Sequence, residues 1–175
     1  HAILVTGAAG FIGFHVATLL LAAGREVVGL DIVNDYYDPA LKEARLERLR
    51  QNSNFRFIKL DLADRESMAS FFAKECFTRV VHLAPPPGEG HAVWWTDPRT
   101  RALTQALRRR TPLRSLVYGS TSGVYGDCGG DWVAETRALA PRTPRAQRRV
   151  DAERLVRHLG RATGVRATIL RIPGI

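Results

Sequence analysis

The chain has 175 residues, enough for one domain with a real core and short for two. Hydrophobic residues at 45% and charged residues at 25% exclude a disordered chain, and no apolar run approaches the ~20 residues that a membrane helix requires. The net charge of +9 lies in the second half: residues 85–175 hold sixteen basic and seven acidic residues, against ten of each in residues 1–84.

Apolar periodicity alternates between short strand-like runs and longer helical ones. "AILVTG" (2–7) reads as a buried strand and "FIGFHVATLLLAAG" (11–24) as a helix capped by Gly24. "EVVGLD" (26–31) is a second strand. "PALKEARLERLR" (39–50) is a helix with Pro39 in its first turn and Leu41, Ala44/Arg45 and Leu49 spaced along it. A third strand, "FRFIKL" (55–60), precedes a helix over 64–75 that Asp64 caps. Then follow a strand at 79–84, a helix at 97–110, a strand at 113–120, a Gly-rich loop, a helix near 144–161 and a sixth strand at 165–172. Each parallel return needs a crossover, so the expected class is α/β, a doubly wound parallel sheet with ligands outside the carboxyl ends of its strands. There is no internal repeat or low-complexity linker. The expectation is a single domain over residues 1–175, without a complete C-terminal substrate domain.

Cys76 and Cys128 are too few for a disulfide framework and lack metal-ligand spacing, which points to no metal and a reduced, cytoplasmic setting. The chain enters a strand pattern at once, so no secretory leader is expected. Of the 26 basic residues only Lys42, Lys59 and Lys74 are lysines. Arginine on solvated helix faces accounts for this excess; attraction of a nucleotide or nucleic acid is the other reading.

"TGAAGFIG" sets Gly7, Gly10 and Gly13 between the first strand and the first helix. Gly7 permits the tight turn, Gly10 the close approach of a pyrophosphate, and Gly13 the packing of helix on sheet. The helix N-terminus turns its free N–H groups and positive dipole toward phosphate. Ala9, Phe11 and Ile12 belong to the same turn. Asp31 ends the second strand, where a carboxylate accepts from ribose hydroxyls and repels a 2′-phosphate, favouring NAD over NADP. Asn34 follows it, Asp61 and Leu62 lie near the expected adenine, and Leu83 and Ala84 lie beside the cofactor ribose and phosphates.

With these residues in place, the chain resembles an extended short-chain dehydrogenase/reductase of the NAD-dependent epimerase/dehydratase group, which implies a Rossmann fold. "VTGAAGFIGFHVA", "GLDIVNDYYDPALKEARL" and "KLDLADRESMASFF" are similar to UDP-glucuronate 4-epimerases. That resemblance implies NAD, a UDP-sugar and a homodimer, with no membrane or nucleic-acid partner. Past Pro85, "APPPGEG" and "STSGVYGDCGGDWVAETRALAPRTPRAQRRVDAE" resemble atypical members that lack the usual tyrosine motif. A change of subfamily character near 84–85, as in a recombined chain, matches the shift in charge.

In the enzymes of this family a tyrosine exchanges a hydroxyl proton, a lysine four residues later supports it, and a Ser/Thr bonds the reacting oxygen. The resemblance places the hydroxyl at Thr121, with Ser122 as the alternative. The tyrosine position falls on Arg145 and the lysine position on Arg149. Arginine keeps its proton, so Arg145 cannot act as base; Arg149 can still supply charge. None of Tyr36, Tyr37, Tyr118 and Tyr125 has a lysine four residues on, and Tyr125 belongs to the strand-end turn. Pro85, Pro86 and Pro87 remove three backbone donors from a loop facing the cofactor, which predicts a weaker grip. His15 and His82 read as packed or hydrogen-bonded side chains. His91, Trp94 and Trp95 form either a substrate lip or a half-covered aromatic patch. Two functions follow: an oxidoreductive isomerase of nucleotide sugars, or a dinucleotide-binding module without turnover (sensor, scaffold or truncated domain). An Arg-rich nucleic-acid binder is the third and least supported.

Overall fold

The computed structural model describes residues 1–35, 38–88, 93–110 and 112–173, excluding the side chains of residues 109 and 110. Its elements run β1 (Ile3–Thr6), α1 (Phe11–Ala22), β2 (Val27–Asp31), α2 (Pro39–Arg50), β3 (Phe55–Lys59) and α3 (Arg65–Lys74). They continue with β4 (Arg79–His82), α4 (Pro98–Arg110), β5 (Ser115–Thr121), a 3-10 turn at Ser122–Tyr125, α5 (Pro144–Thr163) and β6 (Arg166–Ile172). All pairings are parallel and the strand order is β3-β2-β1-β4-β5-β6. The order reverses between β1 and β4, which opens a crevice at their carboxyl ends. No described helix is long and apolar enough to cross a membrane.

Two apolar clusters sandwich the sheet. Leu4, Val28 and Leu30 pack with Met68, Phe71 and Phe72 of α3, Leu103 of α4 and Val156 of α5. On the other face Ile3, Val5 and Val27 pack with Phe14 and Leu21 of α1 and Leu46 and Leu49 of α2. Alternate residues of β1 thus serve opposite layers, as the pleat requires.

Helix ends follow local chemistry. Asp64 caps α3, accepting from the amides of Glu66 and Ser67 at 3.1 Å. Thr143 caps α5 through the Ala146 amide, and Pro144 follows in the first turn. α1 ends at Ala22 with Ala23 as its cap, and Gly24 lies one residue beyond. α2 corrects the expected apolar side: Lys42, Leu46 and Leu49 are buried, while Leu41 and Ala44 are exposed. The reason is tertiary. Lys42 Nζ donates to the carbonyl oxygen and Oδ1 of Asn34 at 2.8 and 2.7 Å, so its aliphatic stem lies inward.

Candidate functional site

A cavity of about 560 Å³ opens at the strand reversal. Its floor is the turn from β1 to α1, which contributes Gly7, Gly10, Phe11, Ile12 and Gly13. Gly7 has φ +71°, and a Cβ there would stand 2.8 Å from the amide nitrogen of Ala84. At Gly13 a Cβ would lie 2.0 Å from the carbonyl oxygen of Gly7, so α1 rests directly on the turn. Gly10 precedes α1 and offers no side-chain cap. The amides of Phe11, Ile12 and Gly13 consequently find no acceptor among the described residues. Three free donors and a helix dipole facing a cavity make an anion cradle, and backbone alone builds it.

Ala9 is fully buried behind this turn and does not line the cavity. Its peptide is clamped on both sides. Asp31 Oδ2 accepts from the Ala9 amide at 3.1 Å, and Arg45 Nη1 donates to the Ala9 carbonyl at 3.2 Å. Asp31 Oδ1 accepts from the Val33 amide at 2.9 Å, holding Val33 at φ 52°, a left-handed conformation unusual for a β-branched residue. Asp31 therefore organises the loop and also lines the cavity with lone pairs to spare. The structure also brings Asn34, Asp61, Leu62, Leu83 and Ala84 to the lining, together with Pro85, Pro86 and Pro87.

The opposite wall is set by β5 and α5. Gly119 and Ser120 line it, whereas Thr121 and Ser122 do not. Ser120 donates to the buried Glu153 at 2.7 Å, and Thr121 Oγ1 accepts from the Gly123 amide, capping the 3-10 turn. Arg145, Arg148 and Arg149 also line the cavity. Arg145 is exposed; Arg149 is buried against Tyr118, donating through Nη1 to Tyr118 Oη at 3.2 Å and to the Gly119 carbonyl at 2.8 Å. Burial pushes the Tyr118 phenol far up, so it keeps its proton. Tyr125 lies in the strand-end turn, its Oη accepting from Arg171 at 2.7 Å.

Beneath the crevice runs a polar chain that periodicity hides. Thr100 donates to Asp97 Oδ2 at 2.6 Å, so it must accept from His82 Nε2–H at 2.8 Å. His82 Nδ1 in turn accepts from Thr6 at 2.6 Å, and Thr6 Oγ1 accepts from the Leu83 amide. His82 is thus hydrogen-bonded; burial first, then the charges of Arg149 and Arg99, lower its pKa to about 3. His15 is exposed and stands edge-on between Phe11 and Phe14. Trp94 and Trp95 pack edge to face and stay about half exposed, a half-covered aromatic patch; His91, Tyr36 and Tyr37 lie outside the described residues.

The sequence pattern of the NAD-dependent epimerase/dehydratase family matches residues 3–174. This chain belongs to that family. Within the family it is 47% identical over 129 residues to an uncharacterized 37.6 kDa protein of Escherichia coli O111:H-, covering 70% of this chain and 38% of that one. It is 33% identical over 158 residues to the UDP-glucuronate 4-epimerase of Thermodesulfobacterium geofontis, covering 87% and 49%. The Bacillus cereus UDP-glucuronic acid 4-epimerase in complex with UDP-glucuronic acid and NAD superposes with a TM-score of 0.83 at 29% identity, covering 98% of this chain and 56% of that one. The chain therefore spans about half the length of these relatives, or less.

Proposed function

We infer that this chain binds a nicotinamide dinucleotide, NAD in preference to NADP, as the cofactor half of an epimerase/dehydratase, with a nucleotide sugar as the ligand class beside it. The observation that carries the reading is the trio of free amides at Phe11, Ile12 and Gly13, set over a corner that tolerates no side chain. The Bacillus cereus relative, described in complex with UDP-glucuronic acid and NAD, supports both ligands. The preference for NAD rests on the Asp31 carboxylate at the end of β2, which a 2′-phosphate would meet as like charge. A nicotinamide held there could exchange hydride with a carbon of a second ligand only where a base also takes up the hydroxyl proton.

The residues of this chain bind and orient, but they do not run the usual proton relay. Arg145 presents only donors, and Arg149 Nη1 donates to Tyr118 and Gly119. Neither can serve as the base that a sugar hydroxyl needs. The reading is therefore a dinucleotide holder without turnover. Calorimetric titration of the chain with NAD and NADP, followed by a UDP-glucuronate turnover assay, tests it. Heat with NAD, weaker binding of NADP and turnover at background are expected. Turnover that survives in the chain as it stands would overturn the non-catalytic reading, and silence toward both dinucleotides would overturn the binding reading.

A further inference from the structure

The cavity's five arginines are not alike, and Arg45 is taken up by the Ala9 carbonyl at 3.2 Å and by the Phe11 ring. Arg99 has a counter-ion, with Asp61 Oδ1 at 3.4 Å. Away from the cavity, the buried end of Arg171 is matched by Glu153 at 2.8 Å. Arg145, Arg148 and Arg149 have no carboxylate within ion-pair distance among the described residues. Two of these three are nearly enclosed, with 7% of Arg148 and 4% of Arg149 exposed.

Their hydrogen bonding is also incomplete. Arg148 Nη1 donates to the Trp94 carbonyl at 3.1 Å, and Arg149 Nη1 to Gly119 and Tyr118. The Nε–H groups of both are buried without a partner among the described residues. No hydrogen bond of either Nη2 occurs among the described residues. Asp97 feels the charge of Arg149, but its oxygens already accept from Thr100 and from the amides of Arg99 and Thr100. A buried, unpaired guanidinium is costly to keep, and a protein that retains two on a cavity wall gains from an anion there.

We propose that Arg148 and Arg149, joined by the exposed Arg145, form a subsite for a compact oxyanion, a carboxylate or phosphate group of a second ligand bound beside the dinucleotide. Guanidinium groups suit this ligand because their forked donors match two oxygens at once. The inference rests on the dinucleotide reading for its neighbour, not for its chemistry. Placing arginine at both positions of the usual relay thus converts a proton-transfer wall into an anion-holding wall.

Thermal unfolding of the intact chain tests this, with malonate and inorganic phosphate as probes against sodium chloride at equal ionic strength. At tenfold above the dissociation constant, the probe raises Tm by about 3–6 °C. Arg148→Met and Arg149→Met each abolish the shift while leaving the anion-free Tm equal or higher, since each removes an uncompensated buried charge. Arg149→Lys, which keeps the charge, retains part of the shift and guards against a methionine variant that does not fold. NAD and the probe stabilise additively. No anion-specific shift in the parent chain overturns the subsite, and competition between NAD and the probe assigns the arginines to the dinucleotide's own phosphates. A parent that answers to malonate but not to NAD would instead sink the dinucleotide reading and leave the anion subsite standing.

Discussion

A methyl group on Gly13 has nowhere to go, because the carbonyl oxygen of Gly7 occupies its place at 2.0 Å and belongs to rigid backbone. Gly13→Ala is expected to push α1 off the turn, cost about 1–3 kcal/mol of stability and weaken NAD binding at least tenfold. Urea midpoints and calorimetry check both, and an unchanged Kd would show that the cradle lies elsewhere. His82 makes a second prediction at this scale. Its native pKa, about 3, lies below the unfolded value of 6.5, so the unfolded chain takes up a proton that the native chain refuses. Its contribution is complete above pH 6.5 and declines as pH falls toward 3, by at most about 1.4 kcal/mol per pH unit. Asp97 is raised by burial and acts in the opposite sense as pH rises above 3.8. Comparing parent with His82→Gln between pH 7 and 5 isolates the histidine: the parent should lose stability more steeply. Parallel slopes would contradict the neutral, buried assignment.

At the scale of elements, α5 is tied to the sheet by Arg149, which donates to β5, and by one shared carboxylate. Glu153 accepts from Ser120 of β5 at 2.7 Å, from Arg171 of β6 at 3.0 and 2.8 Å, and from Arg157 one turn along at 3.4 Å. Glu153→Ala would strand Arg171 and is expected to cost about 3–5 kcal/mol. Loss of the α5 cap in Thr143→Ala should cost only about 1 kcal/mol. Chemical denaturation of the two variants checks the ranking, and equal costs would mean that the cluster contributes little. Most element positions were legible beforehand, since every strand and helix lies within a few residues of its sequence-based range. The failure was α2, where Lys42 is buried and Leu41 exposed. Residue type did not determine which side faces in; Asn34, brought close by the β2–α2 loop, did.

For the whole molecule, ligand linkage offers the simplest global measurement. NAD at a hundredfold over its Kd should stabilise the chain by about 2.7 kcal/mol and raise Tm by about 5–10 °C. An unchanged Tm under saturating NAD would argue against binding to the native state. The strand order explains why one cavity receives the ends of β1 through β6. The sheet order reverses between β1 and β4, which places a crevice outside their carboxyl ends. The surplus of arginine in the second half is not only solvated surface: Arg99, Arg145, Arg148 and Arg149 line this cavity.

The sequence by itself determined the layered α/β order, the glycine turn, the acid at the end of β2 and the lack of any tyrosine followed four residues on by a lysine. These are properties of local periodicity and of residue chemistry, which the chain carries wherever it folds. Tertiary structure alone decided the rest. It selected Ser120 for the wall in place of Thr121 and Ser122, turned Asp31 into a clamp on Ala9, and linked Thr6, His82, Thr100 and Asp97 into one chain. It also left Arg148 and Arg149 buried without counter-ions among the described residues. Most of those outcomes depend on which groups meet across long gaps, 18 residues from His82 to Thr100 and 77 from Thr6 to Leu83, and on how much water burial removes. No local pattern encodes either.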